Sequence, residues 1–288
     1  MSFIWTVDAF TEDPFKGNPA GVCIVNEYTD DLCQNIAMEM NHAETAFLKK
    51  LENNKYFIRW WTPTTEVKLC GHATLASAHL LYSKNYINSN QPLTFKTKYK
   101  GNLMITKKGD GIYEMNFPVP TETKLSEMKV RLEGVGILKA FGLELNSKVI
   151  TNVAHLEDDL IIEVSDAKYV RNCQPNIELI KGIDVGKGKY RCCVLTSNVN
   201  TDKYDYICRV FGPNAGVNED PVTGSSNVLL AYYWSNKLNK CNTWLNGYQA
   251  SKRGGQLKVK YDTTSNRINV LGNAVTVLEG KLNISCKL

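Results

Sequence analysis

The sequence lacks a long apolar run, paired metal-binding cysteines and a signal segment. No hydrophobic stretch approaches the roughly 20 residues of a membrane helix, and the first residues do not form a cleavable signal, so neither membrane insertion nor secretion is expected. The nine cysteines show no Cys-x-x-Cys or His-x-x-x-His spacing, which disfavours a zinc site or a disulfide framework. We therefore expect reduced thiols, no metal and a cytoplasmic protein.

Concentrated positive charge is also missing. The formal net charge is +5, and the lysines are dispersed instead of forming a stripe with interleaved aromatic residues, so nucleic-acid binding is not expected. A small anionic ligand would suit this mild positive charge. Glycines are numerous, but their spacing fits neither a phosphate loop nor a dinucleotide fingerprint, so no organic cofactor is expected.

Two similar segments occur at corresponding points of the two halves of the chain. Residues 70–79 read Cys-Gly-His-Ala-Thr-Leu-Ala-Ser-Ala-His, and residues 219–226 read Glu-Asp-Pro-Val-Thr-Gly-Ser-Ser. Each follows an Arg-x-aromatic-x-Pro pattern, at 59–63 and at 209–213. Each also opens an apolar segment with polar groups and glycine. An internal duplication is the simplest explanation.

The elements that follow these segments repeat as well. Residues 71–84 predict a helix with small and branched apolar side chains nearly all round, which is typical of a helix buried on most sides. Residues 224–237 predict its counterpart. Alternating segments predict strands at 93–99, 102–107 and 112–117 in the first half and at 257–261, 267–271 and 274–278 in the second. Each half is therefore predicted to be α+β, a sheet around one core helix.

The length of the chain indicates two domains, because 288 residues exceed the usual size of a single hydrophobic core. The boundary is placed near 118–123, where Pro-Val-Pro ends the first group of strands and a polar stretch leads to a helix predicted around 131–141. The N-terminal lobe is then 1–118 and the C-terminal lobe 119–278. A last strand within 279–288 is expected to pair back onto the first lobe.

The two helix starts are candidate binding positions, because the first N–H groups of a helix have no partner within it. They are expected to converge on one cleft, where these groups and the positive ends of both helix dipoles favour carboxylate or enolate ligands. Glycine allows a ligand to approach the backbone closely. Proton transfer there requires a carboxylate, an imidazole or a thiol, and the candidates are Glu44, Cys70, His72 and Asp220.

Six short motifs run in order along nearly the whole chain. They are Asp-Ala-Phe-Thr at 8–11, Gly-Asn-Pro-Ala at 17–20, Ala-Glu-Thr-Ala-Phe at 43–47, Cys-Gly-His-Ala-Thr at 70–74, Glu-Asp-Pro-Val-Thr-Gly-Ser at 219–225 and Ser-Lys-Arg-Gly-Gly at 251–255. Together they resemble the PhzF (phenazine biosynthesis-like) family, closest to its MAWD-binding-protein branch. That family shares the fold of diaminopimelate epimerase. The resemblance implies two pseudo-symmetric lobes, each a mostly antiparallel, barrel-like sheet around a central helix, with the active site between them.

The resemblance also implies a cofactor-independent isomerase that moves a proton within a small carboxylate-bearing metabolite. Glu44 matches the family's proton shuttle, and burial between the lobes would raise its pKa toward the range useful for acid–base catalysis. His72, Asp220 and Ser225 match the other polar positions of the site. The remaining substrate-binding positions implied by the motifs are Gly71, Ala73, Gly224, Ser226, Asn18, Arg253 and Gly254. A homodimer and a protein partner are implied by the family alone.

Two positions depart from the family pattern and two other functions stay open. Asn227 stands where this branch usually has histidine, so a neutral amide replaces any contact of that imidazole, and His42 adds an ionisable neighbour close to Glu44. A two-base epimerase or racemase needs a second thiol where Thr223 stands as the counterpart of Cys70, and a hydroxyl cannot replace a thiolate as a base. A non-catalytic binding or scaffold protein would keep the fold without the reaction.

Overall fold

The computed structural model describes residues 3–27, 29–88, 91–120, 134–146, 148–184, 188–199, 201 and 203–283. The chain is divided into two units, each with its own internal packing. Unit 1 comprises residues 1–117 and 269–288, and unit 2 comprises residues 118–268. The chain thus returns to unit 1 at Asn269, whereas the sequence pattern places this return at residue 279.

The regular elements are numbered in chain order. The strands are β1 (Phe3–Ala9), β2 (Asn18–Ile24), β3 (Glu44–Glu52), β4 (Lys55–Trp61), β5 (Glu66–Val67), β6 (Leu93–Thr97), β7 (Asn102–Gly109), β8 (Ile112–Pro118), β9 (Ile150–Leu156), β10 (Asp159–Val164), β11 (Cys192–Asn198), β12 (Tyr206–Gly212), β13 (Val217–Asp220), β14 (Leu245–Gln249), β15 (Gly255–Asp262) and β16 (Arg267–Lys281). The helices are α1 (Asp30–Met40), α2 (Gly71–Ser83), α3 (Gly134–Ala140), α4 (Ala167–Asn172), α5 (Ile177–Lys181) and α6 (Gly224–Lys237).

Unit 1 is a closed barrel whose strands follow the order β1-β2-β3-β4-β6-β7-β8-β16. The antiparallel pairing of β16 with β1 completes the ring, and the short β5 pairs with β4 outside it. Closure removes the unpaired strand edges that an open sheet would present. β16 therefore supplies a structural part of unit 1 from the far end of the chain.

Helix α2 is the core helix of unit 1. It packs against β1, β2, β3 and β7, and apolar or small side chains are buried on almost every side of it. This matches the helix predicted over 71–84. A smaller apolar cluster lies where α1 packs on the barrel, and it includes Ile36, Phe47 and Trp61.

Unit 2 contains a sheet in the order β15-β14-β12-β11-β10-β9, with β13 paired to β12. Helix α6 packs against β14 and β15 and has the bounds that the sequence predicts, Gly224–Lys237. A second apolar core joins β10, β11 and β12 to α3, α4 and α5, with Phe141 and Phe211 in edge-on contact at its centre.

The two units repeat one series of strand pairings. In unit 1, β2–β3 is parallel, β3–β4 antiparallel, β4–β6 parallel and β6–β7 antiparallel. In unit 2 the same alternation runs through β10–β11, β11–β12, β12–β14 and β14–β15. The predicted α+β fold is therefore confirmed: there are two pseudo-symmetric lobes, each with a barrel-like sheet and a central helix.

One prediction about the last strands is wrong. The pattern predicts separate strands at 267–271 and 274–278, but the structure has the single strand β16. Gly272 and Asn273 resemble a turn signal. In the structure, however, a Cβ atom on Gly272 would lie 2.7 Å from the side chains of both Phe10 and Leu75. Close packing explains this glycine, and the strand continues through it.

Parts of three predictions lie outside the described residues: the boundary at 121–123, the start of a helix at 131–133, and the last strand beyond residue 283. The described part of that helix is α3. Within the described ranges, no helix has both the length and the hydropathy needed to span a membrane.

Candidate active site

Glu44 and His72 meet at the start of α2 in unit 1. Glu44 is the first residue of β3, where it pairs with Ala20 of the parallel neighbour β2, and His72 is the second residue of α2. The Glu44 Oε2 atom lies 3.4 Å from His72 Nε2, and the two side chains are only 18% and 5% exposed. This separation is at the long limit of a hydrogen bond, as is common for catalytic groups before a ligand binds.

His72 is held in its neutral form. Burial, together with the nearby positive charge of His42, lowers the pKa of His72 from 6.5 to about 3. A neutral imidazole donates through one ring nitrogen and accepts through the other. His42 is itself fixed by Thr6, whose Oγ1 lies 3.1 Å from its Nε2. The extra histidine that the sequence shows next to Glu44 therefore helps to keep His72 uncharged.

Cys70 is the third polar group at this position and the N-cap residue of α2. Its Sγ lies 3.4 Å from His72 Nδ1, so the closest contacts of His72 to sulfur and to carboxylate use different ring nitrogens. The donor atoms of Glu44, Cys70 and His72 lie within 4.8 Å of one another, a donor set that a transition metal could accept. Because Cys70 and Glu44 contact different ring nitrogens of His72, the arrangement instead favours a hydrogen-bonded chain of the three side chains.

The start of α2 has free backbone donors. Cys70 makes no side-chain cap, and the first helical bond runs from Thr74 N to Cys70 O. In the part of the chain that the structure describes, no acceptor is recorded for the N–H groups of Gly71, His72 and Ala73. Three donors and the positive end of the helix dipole thus lie at the helix start that carries His72, an arrangement that favours an anion.

Asn18 lies at the same end of β2. It is buried and opposes Ala9 of β1, two residues before the Ala20–Glu44 pair. The preceding Gly17 has a φ of +61°, and a Cβ atom there would stand 2.1 Å from Ala9 O. Only glycine fits this turn, and the turn delivers Asn18 to the strand.

Asp220 and Thr223 form the corresponding group at the start of α6 in unit 2. Thr223 is the N-cap residue, like Cys70, and it also makes no side-chain cap. Its hydroxyl donates to Asp220 Oδ2 at 2.6 Å, and its N–H donates to Gln249 Oε1 at 2.9 Å. Gln249 Nε2 donates in turn to Asp220 O at 2.6 Å. The turn before α6 is therefore held by Gln249, a residue that the sequence did not identify although it closely precedes the 251–255 motif.

The three residues that open α6 differ in what their groups bond. Ser226 is fully buried and donates to Asp159 Oδ2 at 2.8 Å. Ser225 is half-buried, and no hydrogen-bond partner of its hydroxyl is recorded among the described residues. The N–H groups of Gly224, Ser225 and Ser226 likewise have no recorded acceptor there. Ser225 thus retains its hydroxyl and its N–H for a ligand, whereas Ser226 retains only its N–H.

Asn227 belongs to a buried network. It is fully buried, its Oδ1 accepts from Tyr206 Oη at 2.8 Å, and its Nδ2 donates to Thr223 O at 2.8 Å. Its Nδ2 also lies 3.3 Å from Gln249 Oε1. The amide at this departure from the family pattern therefore braces the turn before α6.

Arg253 and Gly254 lie in a turn that is tied to the same region of unit 2. Gly254 has a φ of +66° and packs against the Tyr248 hydroxyl, and its N–H donates to Ser251 Oγ at 3.1 Å. Ser251 Oγ donates to Pro221 O at 2.8 Å. Arg253 is half-buried. The turn is thereby anchored next to Asp220.

The structure therefore groups the predicted residues as two sets. Unit 1 carries Glu44, Cys70, Gly71, His72, Ala73 and Asn18, and unit 2 carries Asp220, Gly224, Ser225, Ser226, Arg253 and Gly254. Each set is built around the uncapped start of the unit's core helix.

The phenazine biosynthesis-like protein family matches residues 7–280. The chain belongs to this family. An uncharacterized isomerase of Halalkalibacterium halodurans is 43% identical over 282 residues, which cover 97% of each chain. The crystal structure of a PhzF-family phenazine biosynthesis protein from Enterococcus faecalis has a TM-score of 0.85 and 34% identity, covering 99% of this chain and 100% of that one. The family resemblance drawn from the motifs is thus confirmed.

The similar proteins agree with the predicted fold and enzyme class. A predicted epimerase from Pseudomonas aeruginosa shares the fold at 21% identity, with a TM-score of 0.73 and coverage of 99% and 100% of the two chains. The expected epimerase-like fold of the family is confirmed. The prediction of an isomerase is confirmed at the level of enzyme class, because a relative that matches this chain over nearly its whole length bears that name.

Proposed function

We propose that the chain is a cofactor-independent isomerase that moves a proton within a small carboxylate-bearing metabolite, with Glu44 as the general acid and base. The observation that carries the proposal is the position of the Glu44 carboxylate. It lies 3.4 Å from the neutral, buried His72, and the first three N–H groups of the helix that carries His72 have no recorded acceptor among the described residues.

The protonation states follow from the partners. Cys70 contacts Nδ1 of His72 and Glu44 contacts Nε2, so the tautomer that suits both carries its proton on Nε2, with Nδ1 accepting from the thiol. His72 then donates toward Glu44 and holds one carboxylate oxygen in place. In this orientation the carboxylate of Glu44 would take a proton from a carbon atom of the ligand.

The reaction requires no electron transfer. Glu44 takes a proton from a carbon next to a carbonyl or double bond, which leaves an enolate-like anion, and returns it to another carbon of the same ligand. The first N–H groups of α2 would stabilise the developing negative charge. A carboxylate on the ligand would suit the same helix start.

Within unit 2, the start of α6 is a second candidate position for ligand contacts. Ser225 supports this role, because its hydroxyl and N–H have no recorded partner within the described ranges. The two-base mechanism is disfavoured, because the counterpart of Cys70 is Thr223 and its hydroxyl donates to Asp220. A threonine hydroxyl with a carboxylate as acceptor is a hydrogen-bond donor and a poor base.

The test is transfer of solvent deuterium into a metabolite. The protein is incubated in D₂O with a panel of unsaturated and α-substituted carboxylates and with a metabolite extract, and mass spectrometry detects products heavier by one deuterium. We expect the wild type to label at least one compound and Glu44→Gln to lose at least about 100-fold in rate. Glu52→Gln is the matched control, because Glu52 lies on the same strand but is exposed and pairs with Lys55.

Undiminished labelling by Glu44→Gln would contradict the role of this carboxylate. Labelling by neither the wild type nor any variant would instead favour the scaffold function.

A further inference from the structure

Among the residues that the structure describes, each unit has one arginine whose guanidinium binds a glutamate through two nitrogen atoms. In unit 1, Arg59 Nε and Nη2 donate to Glu66 Oε1 and Oε2 at 2.6 and 2.8 Å. In unit 2, Arg209 Nε and Nη2 donate to Glu219 Oε1 and Oε2 at 2.7 and 2.9 Å. Such fork-to-fork pairs fix orientation as well as distance. We call them the unit 1 clamp and the unit 2 clamp.

The clamps occupy equivalent places. Each arginine lies in the longer of the two paired strands before the core helix, β4 or β12, and opens the Arg-x-aromatic-x-Pro pattern. Each glutamate lies on the short strand that pairs with it, β5 or β13. Both glutamates come four residues before the N-cap residue of the helix, Cys70 or Thr223.

The third nitrogen of each guanidinium is used as well. Arg59 Nη1 donates to Asp30 Oδ1 of α1 at 2.7 Å, and Arg209 Nη1 donates to Cys173 O, after α4, at 3.0 Å. The ring of Trp61 lies 4.3 Å from Arg59 Cζ, and the ring of Phe211 lies 5.2 Å from Arg209 Cζ. Lysine cannot reproduce this planar contact.

The rest of the two helix starts has diverged. Cys70 corresponds to Thr223, and His72 corresponds to Ser225. The third partner of the arginine also differs, a carboxylate in unit 1 and a carbonyl in unit 2. Despite these differences, both units keep the arginine–glutamate pair, with the glutamate four residues before the N-cap residue. This shared spacing indicates that both helices need the N-cap residue held in the same place.

We propose that Arg59–Glu66 and Arg209–Glu219 are positioning pairs that set where the core helix of each unit begins, and thereby aim its free N–H groups and the side chain two residues beyond the N-cap. The proposal rests on the proposed function only for what these groups would bind. The positioning itself involves only neighbouring elements of one unit. The clamp holds the two paired strands together, and the shorter strand leads directly to the N-cap residue. Because each pair is internally neutral, it does so without adding net charge beside an anion site.

The chain contains its own reporters for a test by imidazole ¹H–¹⁵N NMR. His72 lies at the start of α2. His79 lies further along the same helix, where Tyr113 and Thr276 each approach it at 3.2 Å. His155 lies in unit 2 beside Tyr190 at 2.9 Å. Loosening of the whole barrel would move His72 and His79 together, whereas loss of positioning would move His72 alone.

The variants are Glu66→Gln and Arg59→Lys. We expect the ring signals of His72 to move and its apparent pKa to rise by about 1 unit or more toward the ordinary value, because its burial is relaxed. His79 and His155 should stay in place. Arg59→Lys keeps the charge, so the same effect in that variant shows that the fork geometry matters.

Two controls separate this role from general ion-pair loss. Glu114→Gln breaks the pair with Lys108, and the Glu114 side chain is 17% exposed, like that of Glu66; it should leave His72 unchanged. Glu219→Gln should move the amide signals of Gly224 and Ser225 and also leave His72 unchanged.

An unmoved His72 in folded Glu66→Gln and Arg59→Lys would overturn the proposal, and so would equal shifts of His72 and His79. If Glu66→Gln does not fold, Arg59→Lys alone decides the result. None of these readouts depends on turnover, so failure of the deuterium test would leave the clamp result standing.

Discussion

At the level of single residues, α2 carries two histidines, the buried His72 and the half-buried His79, and both stay neutral far below the ordinary histidine pKa. Burial lowers the pKa of His72 to about 3 and that of His79 to about 4. An unfolded chain takes up these protons near pH 6.5, whereas the folded chain does not. Protonation of these two histidines therefore favours the unfolded chain in acid.

Stability should accordingly fall as the pH drops below about 6.5, because protons bind to the unfolded chain first. Their contribution is complete above pH 6.5 and is lost progressively toward the folded pKa values of about 3 and 4. Between pH 7.5 and 5.5 we expect a loss of about 1 kcal/mol in the free energy of unfolding for each histidine. Urea denaturation at both pH values measures it.

His79→Asn should reduce this loss by about half, since one of the two groups is gone. Equal unfolding free energies for the wild type at the two pH values would contradict the neutral assignment.

At this scale, the motifs predict which residues are candidates for the site but not the contacts that hold them in place. The motifs indicated Glu44, His72 and Ser225. They could not indicate that Asn227 is braced by Tyr206 and Gln249, because these partners lie 21 and 22 residues away and meet it only through the sheet. Similarly, the motifs implied that Ser226 contacts the ligand. In the structure its hydroxyl donates to Asp159, which lies on the distant strand β10.

Among the elements, β16 shows where sequence pattern and packing conflict. Helix α6 was predicted to the residue, because its apolar run is continuous and begins after a recognisable turn. The pattern at 267–278 broke at Gly272, and the break read as a turn. The reason for that glycine is the approach of Phe10 and Leu75, and this approach is a tertiary contact.

A test compares two glycines of this strand. Gly272→Ala places a methyl group 2.7 Å from Phe10 and Leu75, so we expect a loss of about 1 to 3 kcal/mol in the free energy of unfolding from overpacking. In Gly280→Ala the nearest contacts are 3.9 and 4.0 Å, and the change should stay within about 0.5 kcal/mol. Urea denaturation of the two variants measures the difference, and equal losses would contradict the close packing around Gly272.

At the scale of the whole molecule, unit 1 is built from two segments of the chain that are separated in sequence by the whole of unit 2. Unit 2 is a continuous segment, 118–268, whereas unit 1 needs both 1–117 and the strand that begins the 269–288 segment. In unit 1 that strand pairs with β1 on one side and β8 on the other. The sequence pattern predicted two lobes and a last strand that returns to the first lobe, but it placed that return at residue 279 instead of Asn269 and did not identify β1 as the partner.

Removal of residues 269–288 should therefore damage unit 1 selectively, because β1 and β8 lose a shared neighbour and become open edges. Hydrogen–deuterium exchange by mass spectrometry should show lost protection in β1, β2 and β8. Protection in β10, β11 and β12 should persist, since their pairings lie wholly within unit 2. Uniform loss in both groups of strands, or none in β1, would contradict this division.

On the ribosome, β16 is translated last although it belongs largely to unit 1. At ordinary elongation rates, the 164 residues between positions 117 and 281 take roughly 10 to 30 seconds to translate. Throughout that interval the nascent amino-terminal half carries two unpaired strand edges, while unit 2 is being translated. The part made first is completed last, and the growing polypeptide is most open to misassembly and most in need of chaperones during that wait.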